Sequence, residues 1–128
     1  MKRVLYLFLC TVLFVCCSKD DDEMVVTTFQ GVVINAQDII DTTGGPIEIL
    51  ILGIEVESLY DVIYEELFPV GADGTFAISV SSSRVRKFDI GLRINSETPI
   101  YRCIGPGPNC NEFIPGNSYS GITFEVIE

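Results

Sequence analysis

The sequence predicts an all-β domain, a single two-layer sandwich of about seven strands, carried behind an export leader. Three observations predict it. From Phe29 onward apolar residues recur at every second position in short runs, the period of a strand with one covered face. Turn formers such as Gly44-Gly45-Pro46 and Gly71-Ala72-Asp73-Gly74 separate the runs. Residues 1–16 break the pattern with a basic start and a long apolar stretch, so they belong to a different object.

The runs follow in order. Phe29, Gly31 and Val33 alternate with Gln30, Val32 and Ile34. Asn35–Pro46, rich in Asp, Thr and Gly, reads as an exposed loop. Ile47, Ile49 and Ile51 share one face while Leu50, Leu52 and Ile54 lie on the other, which predicts a central strand or one covered on both sides. Residues 58–67 read two ways. Leu59, Val62, Ile63 and Leu67 share a helical face behind Ser58 as an N-cap, while Tyr60, Val62 and Tyr64 alternate as in a strand. The stiffness of Ile and Val in helices favours strand or irregular structure.

Glu65–Val70 and Thr75–Val80 are strand runs joined through Gly71–Gly74, with Asp73-Gly74 as turn chemistry. Phe88, Ile90, Leu92 and Ile94 alternate with Asp89, Gly91, Arg93 and Asn95, the clearest strand in the chain. Pro99–Ile104 and Ser120–Ile127 complete the set, with a Pro- and Gly-rich loop, Gly105–Ser118, between them. Seven short strands in roughly 100 residues match the size and spacing of an immunoglobulin-like sandwich.

The leader reads as a secretory signal peptide. Met1-Lys2-Arg3 is basic, and Val4–Val15 is apolar apart from Thr11. That core is too short to span a bilayer, which takes about 20 residues. Leu13-Phe14-Val15-Cys16-Cys17 resembles a bacterial lipobox, in which the first Cys of the mature chain carries a diacylglycerol. The small residue before Cys17 favours cleavage there over cleavage before Cys16. The segments are then 1–16 signal peptide, 17–25 lipidated acidic tether and 26–128 β-sandwich domain. Each buried methylene of an acyl chain contributes about 0.8 kcal/mol, so two or three chains hold the protein to a membrane. Loss of Lys2 and Arg3 leaves six basic against 18 acidic residues, a net charge of −12.

The tether Ser18-Lys19-Asp20-Asp21-Asp22 resembles the export signal of Bacteroidota-type surface lipoproteins, which implies an outer-membrane location with the domain facing the exterior. The same run also serves as a solvated spacer. Asp41-Thr42-Thr43 resembles the O-glycosylation site of exported proteins of that bacterial group, which implies Thr42 as a modification site.

Gly31-Val32-Val33, Gly44-Gly45-Pro46-Ile47 and Asp73-Gly74-Thr75-Phe76 together resemble the carboxypeptidase regulatory-like family, a prealbumin-like β-sandwich, over about residues 29–95. In that pattern Asp-Gly-x-Phe marks a hairpin. The resemblance implies a non-catalytic accessory or adhesion module and supplies no active-site residue. The acidic middle segment and the Cys-bearing last loop depart from the pattern.

Cys103 and Cys110 are the even pair left after Cys10 and Cys16 depart and Cys17 is acylated, which in an exported protein predicts a disulfide. The alternatives are a metal site or a reactive thiol, and for a metal site the chain has no His and no CxxC pair. The braced loop is a candidate recognition surface, because rigid display lowers the cost of binding.

Other clusters read as surface. Glu55, Glu57, Asp61, Glu65 and Glu66 show neither a calcium-loop spacing nor an assignable glycosidase pair. Arg84, Arg86 and Lys87 read as offsetting neighbouring acids, with Arg84 and Arg86 on one strand face. Tyr60, Tyr64, Tyr101 and Tyr119 read as packing or rim residues that could also stack on sugars.

The absence of His excludes His-based triads and His general bases. The scarcity of Lys and Arg argues against nucleic acid as partner. The expectation is a lipid-anchored, non-enzymatic interaction or structural module, without metal or cofactor, whose partners are the membrane and an unidentified protein or glycan. The alternative is a glycan- or nutrient-binding accessory of an outer-membrane uptake system.

Overall fold

In a computed structural model that describes residues 23–55, 61–106 and 110–127, the chain forms an all-β sandwich of seven strands with one short helix. The strands are β1 (Val25–Val33), β2 (Ile47–Glu55), β3 (Asp61–Pro69), β4 (Thr75–Ser82), β5 (Lys87–Ile94), β6 (Tyr101–Ile104) and β7 (Ser118–Val126). The helix, α1, is Ala36–Thr43. One sheet has the order β4-β1-β7-β6 and the other β3-β2-β5. β1 and β7 run parallel; the other pairs are antiparallel.

The period-two pattern sets which side chains enter the core. Phe76, Ile78 and Val80 of β4 are buried, and so are Phe88, Ile90, Leu92 and Ile94 of β5, with exposed or half-exposed residues between them. β2 is the central strand of its sheet. Ile47, Ile49 and Ile51 are buried and Leu50, Leu52 and Ile54 half-buried, as the two-sided apolar pattern predicts. The ladder of β1 with β7 shifts register between Phe29 and Gly31. A β-carbon on Gly31 would lie 2.1 Å from the Ile122 carbonyl oxygen, so only glycine permits this approach of the two backbones.

The connections divide the sandwich into two ends. The chain enters β1 at one, where Val25 pairs with Ser82 and Ile54 with Lys87. At the opposite, far end lie α1 and the turns at residues 70–74 and 95–100. There the Val33 N–H donates to the Gly74 carbonyl at 2.7 Å and the Asn95 N–H to the Pro46 carbonyl at 2.9 Å.

Four expectations change. The loop expected at Asn35–Pro46 contains α1, whose Ala36 is buried and whose Ile39 and Ile40 pack against the core. The Asp73-Gly74 turn joins strands of different sheets, so β3 and β4 form no hairpin. β1 begins at Val25, one residue inside the expected tether. Arg84 and Arg86 lie in the connection from β4 to β5 and not on a strand face, with Arg84 at φ 66°. Of the ambiguous stretch, 61–67 is strand; Ser58, Leu59 and Tyr60 lie outside the described residues.

Candidate functional site

The two ends differ in chemistry. Near the entry end, Phe29 meets Phe113 at a ring-centroid separation of 5.5 Å and Phe88 at 5.8 Å, both edge to face. Tyr119 stacks on Phe29 at 6.0 Å and meets Phe113 at 4.7 Å. Phe113 exchanges two backbone hydrogen bonds with Phe88, at 2.8 and 3.0 Å, and so ties the last long connection to β5. Thr27, fully buried, accepts a hydrogen bond from the Gly116 N–H at 3.0 Å.

Cys103 and Cys110 form a disulfide, with Cα atoms 5.9 Å apart, inside the usual range. Cys103 is partly buried against the core on β6, and Cys110 is fully buried. That loop lies at the entry end, beside the aromatic cluster; its residues 107–109 lie outside the described set.

The acidic cluster disperses. Glu55 pairs with Arg84 at 3.0 Å, and the neighbouring Lys87 approaches Glu112 at 4.0 Å. Successive Glu65 and Glu66 point to opposite sides of β3. Glu66 accepts a hydrogen bond from the Tyr64 hydroxyl. Burial first, and then that carboxylate, push the Tyr64 pKa up, so the phenol stays neutral. Glu57 lies outside the described residues, and Asp61 is described only as part of β3. Among the described residues no group of three or more His, Cys, Asp or Glu is placed to hold a metal ion.

The tyrosines turn inward. Tyr64 meets Phe88 edge to face at 6.1 Å, Tyr101 meets Phe124 at 5.5 Å, and Tyr119 lies in the entry cluster. Tyr60 lies outside the described residues, as do Cys17, Ser18, Lys19, Asp20, Asp21 and Asp22.

The far end holds a cleft of about 380 Å³ between α1, the turn after β5 and the end of β7, a size within the range of ligand sites. Its floor is apolar: Ile94 is buried, and Ile39, Pro99 and Val126 are half-buried. Its rim is polar and exposed, with Asp38, Thr42 and Thr43 from α1 and Glu97 and Thr98 from the turn. The Thr42 hydroxyl donates to the Asp38 carbonyl and the Thr43 hydroxyl to the Ile39 carbonyl, each at 2.7 Å; the Thr43 oxygen also accepts from the Gly45 N–H at 3.5 Å, while the Thr42 oxygen keeps its acceptor capacity. Thr42 thus sits in the last turn of a helix, exposed, and not in a loop.

Of these nine lining residues, sequence reasoning named only Thr42 as a candidate site. A signal for the rest existed. Ala36, Ile39 and Ile40 have helical spacing, and Gly44, at φ 72°, is the stop signal that follows them.

Comparison of the chain with known protein families, with characterised proteins and with solved structures finds no match.

Proposed function

We propose that this protein is a lipid-anchored, non-catalytic interaction module of the outer membrane, held through Cys17 with its sandwich facing the exterior. The observation that carries the reading is the polarity of the domain. The chain enters β1 at one end, and the ligand-sized cleft opens at the other. Val25 lies eight Cα-to-Cα steps after Cys17. At about 3.4 Å each they let the sandwich stand roughly 27 Å from an acylated Cys17. A tether entering at that end points the cleft outward. The export-signal resemblance of Ser18–Asp22 supports the same orientation, and the resemblance to carboxypeptidase regulatory-like domains supports a non-catalytic role.

The glycan-binding alternative draws on the cleft's hydroxyl and carboxylate rim. It is the weaker reading, because Tyr64, Tyr101 and Tyr119 pack against interior rings and leave the cleft lining without an aromatic platform.

The test is substitution of Cys17 by Ala with cell fractionation, and chemical crosslinking of the wild-type chain on intact cells. The expected result is loss of the variant from the membrane fraction, together with wild-type crosslinks to a surface protein. A Cys17→Ala chain that stays in the membrane fraction contradicts the anchor. A wild-type chain that crosslinks to nothing contradicts the interaction role.

A further inference from the structure

The apolar floor and carboxylate rim of the far-end cleft define what it can hold. We propose that it is a docking socket for one Lys or Arg side chain carried on a partner protein. The inference deepens the interaction-module reading and rests on it for the existence of a protein partner.

The three connections at the far end, residues 34–46, 70–74 and 95–100, carry Asp38, Asp41, Asp73 and Glu97 and no Lys or Arg. The nearest strand cations lie outside the cleft lining. Arg102 bonds Glu125 at 2.6 Å, and Arg93 lies in register with Glu48. Asp41 accepts a hydrogen bond from Gln37 at 3.0 Å, and Asp73 caps its own turn. Asp38 and Glu97 remain on the cleft rim, outside the three ion pairs found among the described residues. An anionic ligand would meet two carboxylates there and no countercharge.

Shape supplies the rest. Lys and Arg lay a methylene stem along apolar surface and keep the charged head among polar groups. Ile39, Ile94 and Val126 offer that surface, while Asp38, Glu97 and the Thr42 oxygen offer acceptors at its edge. A small metal ion would gain nothing from the apolar floor, and a sugar lacks an aromatic face to stack on.

The test uses the full-length chain purified in a non-ionic detergent and methyl NMR of Ile39, Ile94 and Val126. The probes are acetyl-Ala-Arg-Ala-amide, the same peptide with citrulline in place of Arg, and maltose. Citrulline keeps the shape of Arg and removes its charge. The Arg peptide is expected to shift the three methyls saturably, and Asp38→Asn and Glu97→Gln each to weaken it about two- to fivefold, the range for exposed ion pairs. Salt at 0.5 M is expected to weaken it similarly in the wild type, which checks the electrostatic term without any substitution.

Equal shifts with citrulline, affinity unchanged in both variants, or shifts confined to other methyls overturn the socket. A stronger response to maltose overturns it in favour of a glycan. On cells, crosslinks undiminished in the Asp38→Asn/Glu97→Gln chain would sink the socket and leave the interaction module standing. Arg-peptide binding by a chain that crosslinks to nothing would do the reverse.

Discussion

The entry end and the far end of this sandwich solve different problems with the same strands. At the entry end Phe29, Phe88, Phe113 and Tyr119 interlock, Cys103 and Cys110 are joined, and Thr27 fastens the chain at Gly116. Cations there stand beside acids, in Arg84 with Glu55 and Lys87 with Glu112. At the far end a helix of eight residues covers the core with Ala36, Ile39 and Ile40, and its acids face no neighbouring cation in the connections. One end is closed by packing and covalent bracing; the other keeps a concave surface with unspent charge. Close packing where the chain enters and a concave surface opposite it is the arrangement the proposed tethered interaction module needs.

The largest contrast is expected from truncating one apolar side chain at each end. Phe29 is fully buried and touches three rings. Phe29→Ala is expected to cost about 3–5 kcal/mol in guanidinium denaturation. Ile39 on α1 is only half-buried, and Ile39→Ala is expected to cost roughly 1 kcal/mol, since part of its surface is already in water. Equal losses would mean that the far end is as tightly built as the entry end.

The disulfide ranks next. The two cysteines are seven positions apart. Closing a loop of about eight residues removes unfolded-chain entropy worth about 2.5 kcal/mol in the chain-entropy model. Replacing both by Ala, which adds no polar atom at the buried Cys110, is expected to lower Tm by roughly 10–15 °C. Mass spectrometry of unreduced wild-type peptides should recover the 103–110 link. Free alkylatable thiols at both positions would remove the bracing from the entry end altogether.

The entry-end architecture was legible in the sequence because its signals are local. The β4 and β5 alternation reads directly as buried Phe76, Ile78, Val80 and buried Phe88, Ile90, Leu92, and the even pair of cysteines reads as a disulfide. The ring cluster was not legible, because Phe113 sits in a Pro- and Gly-rich connection and is held in the core by non-local contacts, its two hydrogen bonds with Phe88 and its packing on Phe29 and Tyr119. The far end was the harder half. Asp38, Asp41, Thr42 and Thr43 weigh toward loop by propensity, and two helical turns give too short a period to overrule them; packing of Ile39 and Ile40 on the core decides the matter. The cleft pairs Asp38 with Glu97 across nearly half the chain. The β2–β5 ladder, with Ile47 opposite Ile94, brings α1 and the turn after β5 to the same end.

The helix itself offers a smaller test of how loosely the far end is held. Gly44 closes α1 in the left-handed region at φ 72°, with its N–H bonded to the Ile40 carbonyl at 2.8 Å. A β-carbon added there would meet nothing within 4 Å. Gly44→Ala therefore isolates the backbone cost of a side chain in that conformation, expected at about 1 kcal/mol by denaturation. A loss of several kcal/mol would show that α1 anchors the domain, and that the far end is no mere cover.

The smallest expected effect is a pH dependence at the 71–74 turn. The Thr75 backbone N–H, and then its hydroxyl, bond the Asp73 carboxylate at 3.1 and 2.8 Å and hold its pKa below the ordinary value of 3.8. A carboxyl depressed in the folded state binds its proton less readily there than in the unfolded chain. Its contribution is therefore complete at pH values well above 3.8 and is lost as pH falls through the lowered folded value. Asp73→Asn keeps an oxygen acceptor for the Thr75 N–H and removes the titration. The difference in Tm between wild type and Asp73→Asn is expected to be small and constant from pH 7 to about pH 5, and to shrink below about pH 4. A difference that grows on acidification would reverse the sign and show that protonated Asp73, not the carboxylate, is the form the turn prefers.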